Sequence, residues 1–295
     1  MTRILTILLA LAAMTLAGCD NDNNNVVTPV DKVPTTPQGV YSITGDHSVL
    51  VIWNGIYERD VNHYVVYRSL QATTGYVAIA NVTADPNPDL DLFIYEYQDF
   101  NAINGVKYWY AVSAVDNAGQ ESPLSAEDVF DTPRPEGTGN ILPNDIAPTL
   151  AGFNLATGDN VSWDSPAADI WADRVVDIVG TDTTVYPYIN AGDGVDIQDV
   201  GYTYEFDDIG WAPDFGWSQL GYCEALEGHT YIVWTADDHY AKVRVTSISL
   251  SGALAFQWAW QSVPANLELA PAVRPLHDER WGQPKPSTKT SQLIK

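Results

Sequence analysis

Cysteine is nearly absent from this chain: of 295 residues only Cys19 and Cys223 carry thiols. No disulfide framework organises the fold, so the core has to be held by burial. Basic residues are scarce too, with 14 Lys and Arg against 38 Asp and Glu, a formal net charge of −24. Six of the 14 lie at the ends, Arg3 and five from Arg274 on, together with two of the acids, which leaves 8 basic and 36 acidic residues between Cys19 and Ala270. A field of that sign repels nucleic acid and anionic lipid, and no nucleic-acid partner is expected. Catalytic signatures are missing as well. There is no Gly-x-Ser-x-Gly, no His-Glu-x-x-His and no phosphate-binding glycine loop. The expectation is a protein that is not an enzyme, with no catalytic residue assigned.

What is present begins with a leader. Met1-Thr2-Arg3 precedes an apolar run from Ile4 to Ala17, too short to span a bilayer as a mature helix, and small residues lead up to Cys19. Residues 1–18 are therefore read as a signal peptide. The ending Leu16-Ala17-Gly18-Cys19 resembles the lipobox of bacterial lipoproteins. That resemblance implies lipidation of Cys19, a membrane partner through the lipid, and a place in the bacterial cell envelope at the outer membrane or cell surface. Two or three acyl chains hold a protein on a membrane where one does not. Residues 19–36, rich in Asn, Asp, Thr and Pro, carry little to bury and are expected to be a flexible tether.

From 37 to 133 short apolar-alternating segments recur between Gly, Asn, Asp and Pro, the pattern of an all-β sandwich. Trp53, Tyr64, Tyr108 and Tyr110 alternate with polar neighbours and are expected to fill the space between two sheets. The segment from Tyr64 to Arg68, the end Tyr97-Gln98-Asp99 and the run from Gly105 to Ser122 resemble strands C, E and F of the fibronectin type III family. The resemblance implies a spacer or interaction module. No Arg-Gly-Asp sequence supports an integrin-type role.

Residues 134–149, Pro-rich, are read as an extended linker, and 150–270 as a second antiparallel β-rich domain. Within it His229 to Gln261 forms a three-stranded meander. Leu254, Phe256, Trp258 and Trp260 alternate with Ala and Gln, and Ala241, Val243 and Val245 oppose Lys242, Arg244 and Thr246. The opening from Gly152 to Gly158, the segment 168–172, the turn from Tyr188 to Gly194 and the run from Tyr240 to Val245 together resemble the HmuY family of haem-binding lipoproteins. The family's Trp-Asp-Ile-Ala-Phe strand stands here as Ala168-Asp169-Ile170-Trp171-Ala172, and a pair of axial histidines does not map onto it. Residues 271–295, with scattered basic and proline residues, are expected to be disordered. The fold class expected is all-β, a fibronectin type III (immunoglobulin-like) sandwich followed by a second antiparallel β-rich domain.

Candidate ligand residues come from two places. Trp211 and Trp217 sit in an aperiodic stretch, Gly210 to Trp217, that places large rings beside acids, a composition suited to carbohydrate stacking or to plugging the end of the sandwich. His229 and His239 flank one hairpin and are candidates to face each other across it, or else exposed turn histidines. Haem ligation by that pair is the alternative cofactor reading, against no cofactor. Asp193-Gly194 lacks the preceding oxygen ligands of an EF-type loop, since Ile189 and Ala191 occupy those places, and no metal site is assigned. Cys223, between Tyr222 and Glu224, reads as a small buried residue. The function expected is a non-catalytic binding module whose C-terminal domain takes a protein, glycan or haem ligand, with haem or porphyrin capture as the alternative.

Overall fold

The computed structural model describes residues 32–85 and 93–270. The expected signal peptide, Cys19, most of the expected tether and the 271–295 segment lie outside the described residues. The described residues from Val33 to Ala270 fall in one compact unit.

The first sandwich uses β1 (Gln38–Gly45), β2 (Ser48–Asn54), β3 (Val61–Ser69), β4 (Val77–Thr83), β5 (Ile94–Asp99), β6 (Tyr108–Asp116) and β7 (Val129–Asp131). One sheet has the order β1-β2-β5 and the other β4-β3-β6-β7, all antiparallel. This three-plus-four arrangement is a fibronectin type III sandwich. Its core is the one the alternation predicts: Trp53, Tyr64 and Tyr110 are wholly buried and Tyr108 nearly so. The tyrosine hydroxyls find partners locally, whereas the buried Trp53 indole nitrogen has none among the described residues. The Tyr64 hydroxyl accepts from Ile56 N at 2.9 Å, and the Tyr110 hydroxyl donates to Asp99 at 3.0 Å.

The second sandwich is built from β8 (Glu136–Ile141), β9 (Gly152–Asn154), β10 (Asp159–Val161), β11 (Ile170–Val179), β12 (Asp182–Ala191), β13 (Asp196–Tyr202), β14 (Tyr222–Glu224), β15 (His229–Trp234), β16 (Tyr240–Ile248) and β17 (Leu254–Trp260). Two five-stranded sheets result, β10-β9-β11-β12-β14 and β13-β15-β16-β17-β8. Between them pack Phe153, Leu155, Ile170 and Ile189 from one sheet, with Tyr231, Val243, Leu254, Phe256 and Trp258 from the other. The predicted meander is β15-β16-β17, and its aromatic stripe faces inward, with Trp260 only half-buried at the end.

Two expectations need correction. Residues 134–149 are not simply an extended linker, because β8 pairs with β17 from Leu254↔Ile141 to Ala259↔Glu136 and so closes one edge of the second sheet. Gly139 allows this: a Cβ there would lie 2.7 Å from the Phe256 ring, so only glycine fits that close approach. The face carrying Lys242 is not a solvated one either. Ile232 and Tyr240 on that face are covered by Ala212 and Leu269, with Ile209, Trp217 and Leu267 beside them, and Lys242 is fully buried beneath.

Charged residues cluster where the first sandwich gives way to the second. Arg134, 1% exposed, lies 3.2 Å from both Glu136 and Asp207, and Lys242 Nζ lies 2.5 Å from Asp207 and 4.2 Å above the Phe206 ring. Lys107 of the first sandwich meets the buried Glu268 at 2.8 Å. Burial and the neighbouring Arg134 push the Lys242 ammonium down to about 7, opposed by Asp207. Burial raises the Asp207 carboxyl, but Lys242 and Arg134 outweigh it and hold Asp207 below the usual carboxylate range. Asp207 is therefore an anion held between Arg134 and Lys242.

Candidate functional site

The four predicted ligand residues do not converge. His229 stands at the start of β15, opposite Tyr202 of β13, and its Nδ1 lies 3.0 Å from Asp199. His239 stands at the tip of the β15–β16 hairpin, where Trp234 faces Tyr240. Five strand residues separate the two ends of β15, roughly 17 Å at the rise of an extended strand. The histidines are thus not partners across the hairpin, and the bis-histidine haem pair is not formed. His239 instead packs its ring 4.5 Å from Trp260, with Nδ1 3.2 Å from Asp237.

The aromatic loop divides. Trp217 packs into a cluster with Trp234 at 5.9 Å and Tyr240 at 6.4 Å between ring centroids, which is the plugging role. Trp211 stays half-exposed and makes an isolated bridge to Glu268. Two surface depressions contain none of the four residues. One, about 410 Å³, lies at the β8–β10 edge between Gly139 and Gly158; the other, about 640 Å³, lies in the first sandwich beside Tyr57 and Glu58.

A different surface brings four partly exposed rings together. In the β10-β9-β11-β12-β14 sheet, Ile170, Ala172, Ile189 and Cys223 point into the core. The alternate positions point outward. Register aligns Trp171 with Asn190 and Asn190 with Tyr222 in one row, and Asp173 with Tyr188 and Tyr188 with Glu224 in the next. Trp163 adds its ring 5.1 Å from Trp171, and Tyr188 meets Tyr222 at 5.5 Å. Trp163 is 38% exposed, and Trp171, Tyr188 and Tyr222 are half-buried, with their polar atoms unpaired among the described residues. Asp173, Asn190 and Glu224 on this face are likewise only partly exposed, and the other sheet's outer face lies under the 203–217 and 262–270 segments.

Sequence reasoning missed this face because its members come from three separated segments. The signal available was the alternation in Tyr186-Pro187-Tyr188-Ile189-Asn190, which places Tyr and Asn together on one side. Cys223 lies behind it, on the core side, with its thiol pushed up to about 12 by burial and then by Asp199. That makes it inert as a nucleophile.

No known protein family matches the sequence. The chain is similar to an amylopullulanase of Thermoanaerobacterium thermosulfurigenes, 28% identical over 148 residues, which is 50% of this chain and 7% of that protein. A second amylopullulanase, from Thermoanaerobacterium saccharolyticum, is 29% identical over 148 residues, 50% of this chain and 10% of that protein. The similar stretch is thus a tenth or less of those relatives' length. Among solved structures, a Fn3-like protein from Clostridium thermocellum is 29% identical over 34% of this chain and 92% of its own, with a TM-score of 0.27.

Proposed function

We propose that the protein is a non-catalytic polysaccharide-binding module of a bacterial cell envelope. The lipid on Cys19 anchors it, the fibronectin type III sandwich acts as a spacer, and the C-terminal sandwich takes the ligand. The observation that carries this reading is the set of Trp163, Trp171, Tyr188 and Tyr222, partly exposed together on the outer face of one sheet. Clustered, partly exposed rings on one sheet are suited to stacking on the apolar faces of sugars. The similarity to two enzymes named amylopullulanase adds support, because a non-catalytic stretch shared with such enzymes fits a polymer-binding role. The lipobox-like ending at Cys19 supports the anchor.

The test uses the chain from Cys19 on with Cys19→Ser, in native gels containing soluble polysaccharide, alongside a reducing-sugar assay. The reading predicts retarded migration in at least one polysaccharide gel with no new reducing ends. Unretarded migration in every gel overturns polysaccharide binding, and release of reducing ends overturns the non-catalytic part.

A further inference from the structure

The ligand face also carries information about the shape and charge of what it takes. Trp171 and Tyr222 belong to one cross-strand row, with Asn190 of β12 between them. They are two strand spacings apart, about 9.6 Å, close to the repeat of two sugars along a glycan chain. A chain lying across the strands would therefore meet a ring at alternate sugars, with the Asn190 amide between them for hydroxyls. Asp173 and Glu224 flank Tyr188 in the next row and add hydroxyl acceptors on one side.

The rings are not coplanar. Trp163 is tilted 52° to Trp171, and Tyr188 stands at 89° to Tyr222. Strand twist adds a rotation of roughly 20–25° per strand across the row. A flat crystalline polysaccharide surface offers one plane and would engage one ring of each pair at most, whereas a chain that turns from sugar to sugar follows the twist of the row. The face also selects by charge. Arg174 is the basic residue on these strands, and its guanidinium is committed to Asp145 at 2.8 Å and to the Ser251 carbonyl at 2.8 Å. Asp173 and Glu224 are left to repel anionic polymers.

We propose that the outer face of the β9–β11–β12–β14 strands binds single, curved, neutral glucan chains laid across the strands, with Trp171 and Tyr222 stacking on alternate sugars and Trp163 as a side wall. This refinement rests on the polysaccharide-binding reading.

Four probes separate the possibilities: pullulan and amylopectin as neutral, turning chains, alginate as an anionic chain, and crystalline cellulose as a flat surface. The soluble polymers are tested by gel retardation and cellulose by co-sedimentation, on the Cys19→Ser protein and on Trp171→Ala, Tyr222→Ala, Trp171→Phe and Trp211→Ala. Loss of one stacking ring is expected to weaken binding roughly tenfold. The expected result is retardation by pullulan or amylopectin, lost in Trp171→Ala and Tyr222→Ala, partly kept in Trp171→Phe and unchanged in Trp211→Ala. Circular dichroism must match the parent for each variant, and Trp171→Phe keeps the test valid if an alanine variant misfolds. Binding to cellulose or alginate in preference to the turning glucans, if lost in Trp171→Ala, overturns the curved neutral chain while leaving the polysaccharide face in place. Binding that persists in Trp171→Ala, Tyr222→Ala and Trp171→Phe alike overturns the assignment to this face. Binding to none of the four probes overturns the refinement, and the underlying reading then falls with it if every other polysaccharide gel is also blank.

Discussion

Asp131, at the end of β7, shows how single residues tie the two sandwiches into a charged interior. It is wholly buried, and Thr44 Oγ1 donates to it at 2.7 Å. Burial raises its carboxyl to about 7, against the smaller opposing effects of Thr44 and Arg134. A carboxyl whose pKa is raised on folding binds more protons folded than unfolded, so its contribution to stability falls as pH climbs from about 4 to about 7. Asp131→Asn keeps an acceptor for Thr44 and removes the titration. Thermal midpoints should match the parent near pH 4 and exceed it at pH 8; a gain equal at both pH values would contradict the burial account. None of this was legible in the sequence. Lys242 occupies an alternate position that reads as solvent-facing, and only the two covering segments, far off in sequence, bury it.

Among the elements, strands with strict alternation were readable and strands without it were not. β17 declares itself through Leu254, Phe256 and Trp258, and β6 through Tyr108 and Tyr110. By contrast β8, Glu-Gly-Thr-Gly-Asn-Ile, has no apolar period and becomes a strand only because the open edge of β17 supplies hydrogen-bond partners. Its glycine is needed for packing: Gly139→Ala would drive a methyl into the Phe256 and Phe153 rings. We expect a loss of about 1–3 kcal/mol, as for other overpacked cores. Urea unfolding followed by tryptophan fluorescence checks it, and an unchanged midpoint would show that β8 is not seated against the core. The candidate site failed to appear in the sequence for a related reason. Trp171, Tyr188 and Tyr222 lie on three strands, and only the register of β11, β12 and β14 makes them neighbours.

Across the whole molecule, the scarcity of basic residues acquires a structural meaning. Of the eight between Cys19 and Ala270, Arg68, Lys107, Arg134, Arg174, Lys242 and Arg244 are engaged in internal contacts. The exposed surface is left mainly to the acids, with Lys32 and Arg59 the bases outside these contacts. Lys107 of the first sandwich meets Glu268 of the second, and Arg134, at the junction, pairs with Asp207. No helix among the described residues is long and apolar enough to cross a membrane. The central claim is that ligand contact falls on one sheet face of the second sandwich. Backbone hydrogen exchange with and without a soluble glucan such as maltoheptaose measures this directly. The account predicts slowed exchange in β11 around Trp171, in β12 around Tyr188 to Asn190 and in β14 around Tyr222, with the first sandwich unchanged. Protection confined to the 209–217 loop, the β15–β16 hairpin tip or the fibronectin type III sandwich would contradict it.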